Sequence, residues 1–291
     1  MAKCEVCYRH CELSEGERGF CGVRTVICTE DGGLKVYPLN YGKVTGIALD
    51  PIEKKPLARF MPGSRIISVG SYGCNLRCPF CQNYEISWSE GAYAFENEAD
   101  YLSPEELAKL ALEYKNRGNV GVAFTYNEPL ICYEYVRDTA RIVHEMGMVN
   151  VLVSNGMASI DVLNQIIPYI DAMNIDLKGF TDHYYTDVLQ GNRAMVMDFI
   201  AEAVKHCHVE LTTLIIPGEN DSEKEMAQLS EWIASLKDDD GNNIGKEISL
   251  HITRFFPRFH MTDRDATDVR VMQKLADIAR QNLNYAYLGN V

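Results

Sequence analysis

The chain has 291 residues, 46% of them hydrophobic, and a formal net charge of −13. That length allows one large domain or two small ones with an ample core, and the acidic balance disfavours a nucleic-acid partner, which needs a basic face. No run of 18 apolar residues offers a membrane span, Met1-Ala2-Lys3-Cys4 carries no apolar leader, and ten cysteines in clustered spacings point to metal rather than disulfides in a cytoplasmic protein.

Cys4, Cys7, Cys11 and Cys21 open the chain within eighteen residues. So short a stretch has little core of its own and calls for a metal staple. Four thiolates suit structural zinc or a fully ligated second iron–sulfur cluster, and free thiols are the bland alternative. Their position at the start favours a folding role. Val23–Thr29 and Leu34–Pro38 flank Asp31-Gly32-Gly33 and predict a β-hairpin. Asp50-Pro51-Ile52-Glu53-Lys54-Lys55-Pro56-Leu57 reads as a solvated connection whose basic pair is free to meet a partner. Residues 1–62 are therefore expected to form a Cys-rich segment, and 63–291 the main domain.

Ile66–Gly70 is β-branched and predicts a strand. It runs into Cys74-Asn75-Leu76-Arg77-Cys78-Pro79-Phe80-Cys81 and then Gln82-Asn83. Three thiolates at C-x3-C-x2-C suit a [4Fe-4S] cluster with one iron short of a protein ligand. Such an iron can chelate the amino and carboxylate groups of S-adenosylmethionine. An electron passed to the sulfonium then breaks a C–S bond and yields methionine and a 5′-deoxyadenosyl radical, chemistry that belongs to the cofactor. Structural zinc, the competing reading, wants a fourth ligand close by.

Strands and helices then alternate. A capping box at Ser103-Pro104-Glu105-Glu106 starts a helix to about Asn116. Val120–Tyr126, Val149–Ser154, Ala172–Asp176, Val209–Ile216 and Glu247–Thr253 predict strands. Ile131–Met146, Ile160–Pro168, Met195–His206, the segment from Ser222-x-x-Glu225 to Lys237, and Asp268–Gln281 predict helices, with Tyr285–Leu288 as a last short strand. This is α/β alternation, and six units suggest a partial (β/α)6 barrel with its chemistry at the C-terminal strand ends.

Polar residues gather at those ends. Asn127 and Glu128 offer acceptors for an amino group, and Lys178 a cation for a carboxylate. Ser154, Asn155 and Asp176 suit ribose hydroxyls, Phe80 an adenine wall, and His251 the adenosyl end or the substrate space. Bland readings compete: turn formers at strand ends, a structural Asp176–Lys178 ion pair, and an interior histidine. Cys132 and Cys207 read as buried thiols.

The cysteine loop with Gln82-Asn83 resembles radical S-adenosylmethionine enzymes of the pyruvate formate-lyase activating enzyme type. Cys4-x2-Cys7-x3-Cys11, Arg18-Gly19-Phe20-Cys21-Gly22-Val23-Arg24, the Asp50–Leu57 stretch, Phe124-Thr125-Tyr126-Asn127-Glu128-Pro129 and Tyr287-Leu288-Gly289-Asn290-Val291 narrow the likeness to the AmmeMemoRadiSam system radical SAM enzyme. The resemblance implies a [4Fe-4S] cluster on Cys74, Cys78 and Cys81, a radical SAM barrel, and association with Memo and AMMECR proteins. A flavodoxin or ferredoxin is the expected electron donor. The substrate is a small molecule or a partner protein. The alternatives are a glycyl-radical-enzyme activase and a non-catalytic metal-binding scaffold.

Overall fold

The computed structural model describes residues 1–291. Two antiparallel ribbons open the chain. Ala2–Lys3 pairs with Glu12–Leu13, and β1 (Arg24–Cys28) pairs with β2 (Leu34–Pro38) as the expected hairpin. Gly32 sits at its turn with φ +80°, a left-handed conformation that glycine takes without a Cβ penalty.

The main sheet has eight strands: β3 (Gly46–Pro51), β4 (Arg65–Gly70), β5 (Asn119–Phe124), β6 (Val149–Ser154), β7 (Ala172–Asp176), β8 (His208–Ile215), β9 (Ser249–Arg254) and β10 (Ala286–Gly289). Spatial order follows chain order, so each strand lies beside the one before it. All pairs from β4 to β10 are parallel, and only β3 runs antiparallel, on β4. The six main helices are α1 (Pro104–Glu113), α2 (Tyr133–Glu145), α3 (Ile160–Ile166), α4 (Arg193–Ala203), α5 (Glu223–Ala234) and α6 (Val269–Ala279). Each connects two parallel strands. The edges β3 and β10 do not pair, so the α/β barrel is partial, as expected.

Local chemistry starts these helices. Ser103 and Glu106 complete the capping box on α1, satisfying two orphan N–H groups reciprocally. Ser222 caps α5 through the Glu225 N–H, but the Glu225 carboxylate turns away to accept from the Phe180 N–H at 2.6 Å.

The stretch around Asp50–Leu57 departs from expectation. Gly46–Pro51 is an edge strand of the main sheet, so the chain before residue 63 contributes to the barrel. Proline at the last position is compatible with a strand at a sheet edge. The residues after it are not solvated. Ile52 and Leu57 are fully buried against Ile66, Ala123, Val151 and Ala172. Lys55 is 2% exposed, with its ammonium 2.9 Å from Asp50 Oδ2; only Lys54 of the basic pair faces solvent. The Ala58 and Arg59 N–H groups donate to Glu210 at 3.0 and 2.8 Å, and the Asn174 amide donates to the Pro56 carbonyl. This segment thus fills the concave side of the barrel. Because side chains alternate with period two, Ala123, Val151, Glu210 and His251 form a layer directly beneath Thr125, Val153, Thr212 and Thr253, which face the cavity described next.

Candidate active site

The cysteine loop leaves β4 through Gly70 and Gly73, and both need to be glycine. A Cβ on Gly70 would lie 2.7 Å from the Tyr126 ring. Gly73 has φ +89°, and a Cβ there would meet Val23 at 2.6 Å and the Cys21 carbonyl at 3.0 Å. Asn127 braces the loop. Its Oδ1 accepts from the Ser71 N–H at 3.0 Å, and its Nδ2 donates to the Tyr72 and Gly73 carbonyls at 3.1 Å each. Arg77 donates to the Cys74, Leu76 and Phe20 carbonyls. Trp88 Nε1 donates to the Cys78 carbonyl, and the His260 N–H to the Pro79 carbonyl.

Cys74, Cys78 and Cys81 line a cavity of about 280 Å³ at the C-terminal strand ends. Phe80, Asn127, Glu128, Ser154, Asn155, Asp176 and Lys178 line it too. Burial raises all three thiols, Cys78 to about 12; a bound metal inverts that preference by taking the thiolate directly. The Leu76 N–H and the Asn155 amide approach Cys74 Sγ at 3.4 and 3.8 Å, donors suited to a thiolate. The donor set fits an iron–sulfur cluster.

Lys178 Nζ is 2.8 Å from Asp176 Oδ2. Burial opposes its charge, but Asp176 and the Cys78 thiol outweigh burial and hold Lys178 well above the ordinary lysine range. The ion pair is real, and it faces the cavity.

Glu128 differs from the expectation of a free acceptor. Its carboxylate already accepts from the Ser154 hydroxyl and the Asn155 N–H at 2.8 Å each, and from the Leu130 N–H at 3.0 Å. Burial raises it to about 7. It ties the end of β5 to the end of β6, while Ser154 and Asn155 present the outer surface of that tie. Asn127 differs in the same way: its oxygen is taken by Ser71, so it holds the loop rather than offering an acceptor.

His251 corrects a sequence-level assignment. It does not line the cavity. Its Nε2 lies 2.7 Å from Glu210 Oε2, and His208 meets the other Glu210 oxygen at 2.9 Å. The reason is depth: His251 sits one inward layer below Thr253. Residues that sequence reasoning left out of the site are Tyr126, Asn83, Thr253 and Asn290, all lining the cavity. Tyr126 has φ +73°, and its hydroxyl donates to Asp50, which joins the buried 50–60 segment to the site. Asn83, Tyr126 and Asn290 stood within the sequence motifs without being assigned to the site, and Thr253 had no signal of its own.

Cys4, Cys7, Cys11 and Cys21 line a second, smaller cavity with Arg9, Arg24 and Asn75. In neither thiol set do three donors gather at the spacing of a single ion. Cys132 is buried, Cys207 partly so, and Cys28 is exposed. No helix is long and apolar enough to cross a membrane.

Known proteins resemble this chain in sequence and fold. The family described as Radical SAM superfamily matches residues 68–230. The protein MJ0808 of Methanocaldococcus jannaschii is 37% identical over 293 residues, covering 99% of this chain and 81% of that protein. The pyruvate formate-lyase-activating enzyme of Clostridium pasteurianum is 26% identical, over 60% of this chain and 72% of that enzyme. The crystal structure of Streptococcus suis SuiB bound to S-adenosylmethionine aligns with TM-score 0.55 at 12% identity, over 77% of this chain and 51% of that one. At that identity the last match speaks for the fold alone.

Proposed function

This chain belongs to the radical SAM superfamily, and on that premise we propose that it reductively cleaves S-adenosylmethionine and directs the resulting radical at a hydrogen of a separate substrate. The observation that carries the reading is one cavity lined by Cys74, Cys78, Cys81, Lys178, Asp176, Ser154 and Asn155. A [4Fe-4S] cluster held by the three thiolates would supply the electron and an open iron for the methionine end of the ligand. The protein's part is placement. Lys178 offers its remaining N–H donors to the ligand carboxylate, and Ser154, Asn155 and Asp176 face its ribose. Phe80 offers an apolar wall to the adenine. Glu128 keeps Ser154 and Asn155 in place from below. The 50–60 segment, packed under the cavity, keeps water from entering through the barrel.

The branch we favour is the AmmeMemoRadiSam enzyme, because the motifs that carry the likeness run from Cys4 to Val291. Memo- and AMMECR-like proteins are then the partners, a flavodoxin or ferredoxin the donor, and the cytoplasm the compartment. In this reading residues 1–62 carry the Cys-rich segment ahead of a radical SAM barrel at 63–291, to which they also contribute β3 and the buried stretch after it. Cys4, Cys7, Cys11 and Cys21 hold a metal centre, zinc or a second cluster. A glycyl-radical activase is the second reading, favoured by the relative from Clostridium pasteurianum.

The test is anaerobic. Iron and sulfide are counted in the wild type and in Cys74→Ala/Cys78→Ala/Cys81→Ala, and methionine and 5′-deoxyadenosine are measured after dithionite. Equal iron in both proteins, or no cleavage by the iron-loaded wild type, refutes the reading.

A further inference from the structure

Resting on the reading that Ser154, Asn155, Asp176 and Lys178 hold S-adenosylmethionine, we propose that the substrate lies beside Thr212, Leu214, Thr253 and Asn290, and that the part of it entering the cavity is an uncharged alcohol or amide. All four residues line the same cavity as Cys74, Cys78 and Cys81. Sheet order makes them one wall. β7 ends in Asp176, with Lys178 just beyond; β8, beside it, carries Thr212 and Leu214; β9 follows with Thr253, and Asn290 comes directly after β10. Residues two apart on a strand share a face, so Thr212 and Leu214 both look inward. The wall thus runs from the residues assigned to S-adenosylmethionine to the unpaired edge of the sheet.

Charge decides what this wall can take. Apart from the thiols, the ionisable side chains lining the cavity that carry charge are Glu128, Asp176 and Lys178. Glu128 is closed by its three donors, and Asp176 and Lys178 pair with each other. Other charges lie near, but each is committed elsewhere. Lys55 meets Asp50 in the segment packed below. Glu210 is ringed by His208, His251 and the Ala58 and Arg59 N–H groups. Arg254, next to Thr253, turns its Nε to the Thr267 carbonyl at 2.8 Å and lays its guanidinium over Phe256. A charged group brought from water to this wall would lose its solvation and find no counter-charge, whereas a neutral polar group needs only hydrogen bonds.

The wall supplies those hydrogen bonds. The Thr212 hydroxyl donates to Asn174 Oδ1 at 2.9 Å, which leaves its oxygen free to accept. The methyl group of Thr253 rests on Gly289, where a Cβ would come within 2.9 Å. The Thr253 hydroxyl reaches the Thr213 carbonyl at 3.5 Å, a long contact that a ligand can replace. Asn290 brings an amide with both donors and an acceptor. Leu214 adds an apolar surface for the carbon skeleton that bears the hydrogen to be removed. Acceptor, donor and apolar contact together match an alcohol or an amide, and offer nothing that neutralises a carboxylate, a phosphate or an ammonium.

The experiment uses the full chain, cluster-loaded and crystallised anaerobically with S-adenosylmethionine and without reductant. Crystals are soaked in concentration series of N-methylacetamide, 2-propanol, acetate and methylammonium, all small enough for the cavity. We expect the two neutral probes to appear beside Thr212 and Thr253 at about tenfold lower concentration than either ion. The one that enters at the lower concentration separates an amide from an alcohol. Entry of acetate or methylammonium at an equal or lower concentration overturns the inference, and so does a wall that stays empty in every soak. With S-adenosylmethionine still seen on Lys178, either result leaves the cleavage reading standing. S-adenosylmethionine absent from the Lys178 side defeats that reading, and the inference with it. Thr253→Lys supplies the cation that the wall lacks and should let acetate enter ahead of both neutral probes; an unchanged order overturns the inference. If that variant is insoluble, the wild-type soaks decide alone.

Discussion

Lys178→Met probes the grip on the methionine end of S-adenosylmethionine. The ammonium lies 2.8 Å from Asp176 Oδ2, with 17% of its side chain exposed. It is a full cation, because Asp176 and Cys78 outweigh the burial that opposes its charge. One N–H donor goes to Asp176, which leaves two of an ammonium's three for a ligand carboxylate. A charge-assisted contact is worth about 1.5–3 kcal/mol. At about 1.4 kcal/mol per decade, the affinity should fall about 10- to 150-fold. Asp176 already offsets part of the cation's charge, so the lower half of that range is expected. Methionine is unbranched and only one heavy atom shorter than lysine, so little cavity opens. It also leaves Asp176 unpaired, and repulsion between two carboxylates would imitate a lost contact. Asp176→Asn and the double variant close the cycle and separate those causes. The assay is calorimetric titration of S-adenosylmethionine into cluster-loaded protein without reductant, with iron counted in each sample. Unchanged iron together with a Kd within about twofold of wild type refutes the assigned role of Lys178.

Glu128 has a pH signature. Its rise from the ordinary 4.5 to about 7 comes from burial, and at roughly 1.4 kcal/mol per pH unit it corresponds to about 3 kcal/mol. The folded state favours the protonated form, so this stability is complete below pH 4.5 and is lost as pH rises through about 7. Urea unfolding of the metal-free protein should show a falling midpoint from about pH 5 to 8, flattened in Glu128→Gln; an equal slope in both proteins contradicts the assignment. Gly73→Ala places a Cβ against Val23 and the Cys21 carbonyl at φ +89°, and should cost about 2–4 kcal/mol and lower the iron content. Wild-type stability and iron in that variant would show that the two thiol sites do not touch as described. His251→Ala leaves the buried Glu210 with one partner fewer and should cost about 1–3 kcal/mol, while S-adenosylmethionine affinity stays unchanged. A large loss of affinity would return the imidazole to the site.

What the sequence determined by itself was everything encoded over short distances along the chain. Stretches of four to eight residues rich in apolar and β-branched side chains, set between helical segments, predicted β4 to β10, because burial on both faces of a parallel strand leaves a largely hydrophobic signature. Ser103 and Glu106 marked a helix start within four residues. Cys74, Cys78 and Cys81 stand in one loop, so their convergence needed no tertiary contact. The rule that ligands gather at C-terminal strand ends then collected Glu128, Ser154, Asn155, Asp176 and Lys178 around one cavity. Tertiary structure decided the rest. Gly46–Pro51 became a strand because β4 lay beside it. Lys55 went inside because Asp50, held also by Tyr126, could neutralise it there. Alternation shows that His251 points inward but not how deep it lies, since depth in a barrel follows from strand tilt and stagger. The long-range partners that occupy Asn127 and Glu128 sit 26 to 56 residues away, beyond any local pattern. The contact of Gly73 with Cys21, which sets the two thiol sites side by side, spans the hairpin and β3. Such contacts arise only when distant segments are brought together by burial, and a periodic pattern in one segment carries no record of its neighbour.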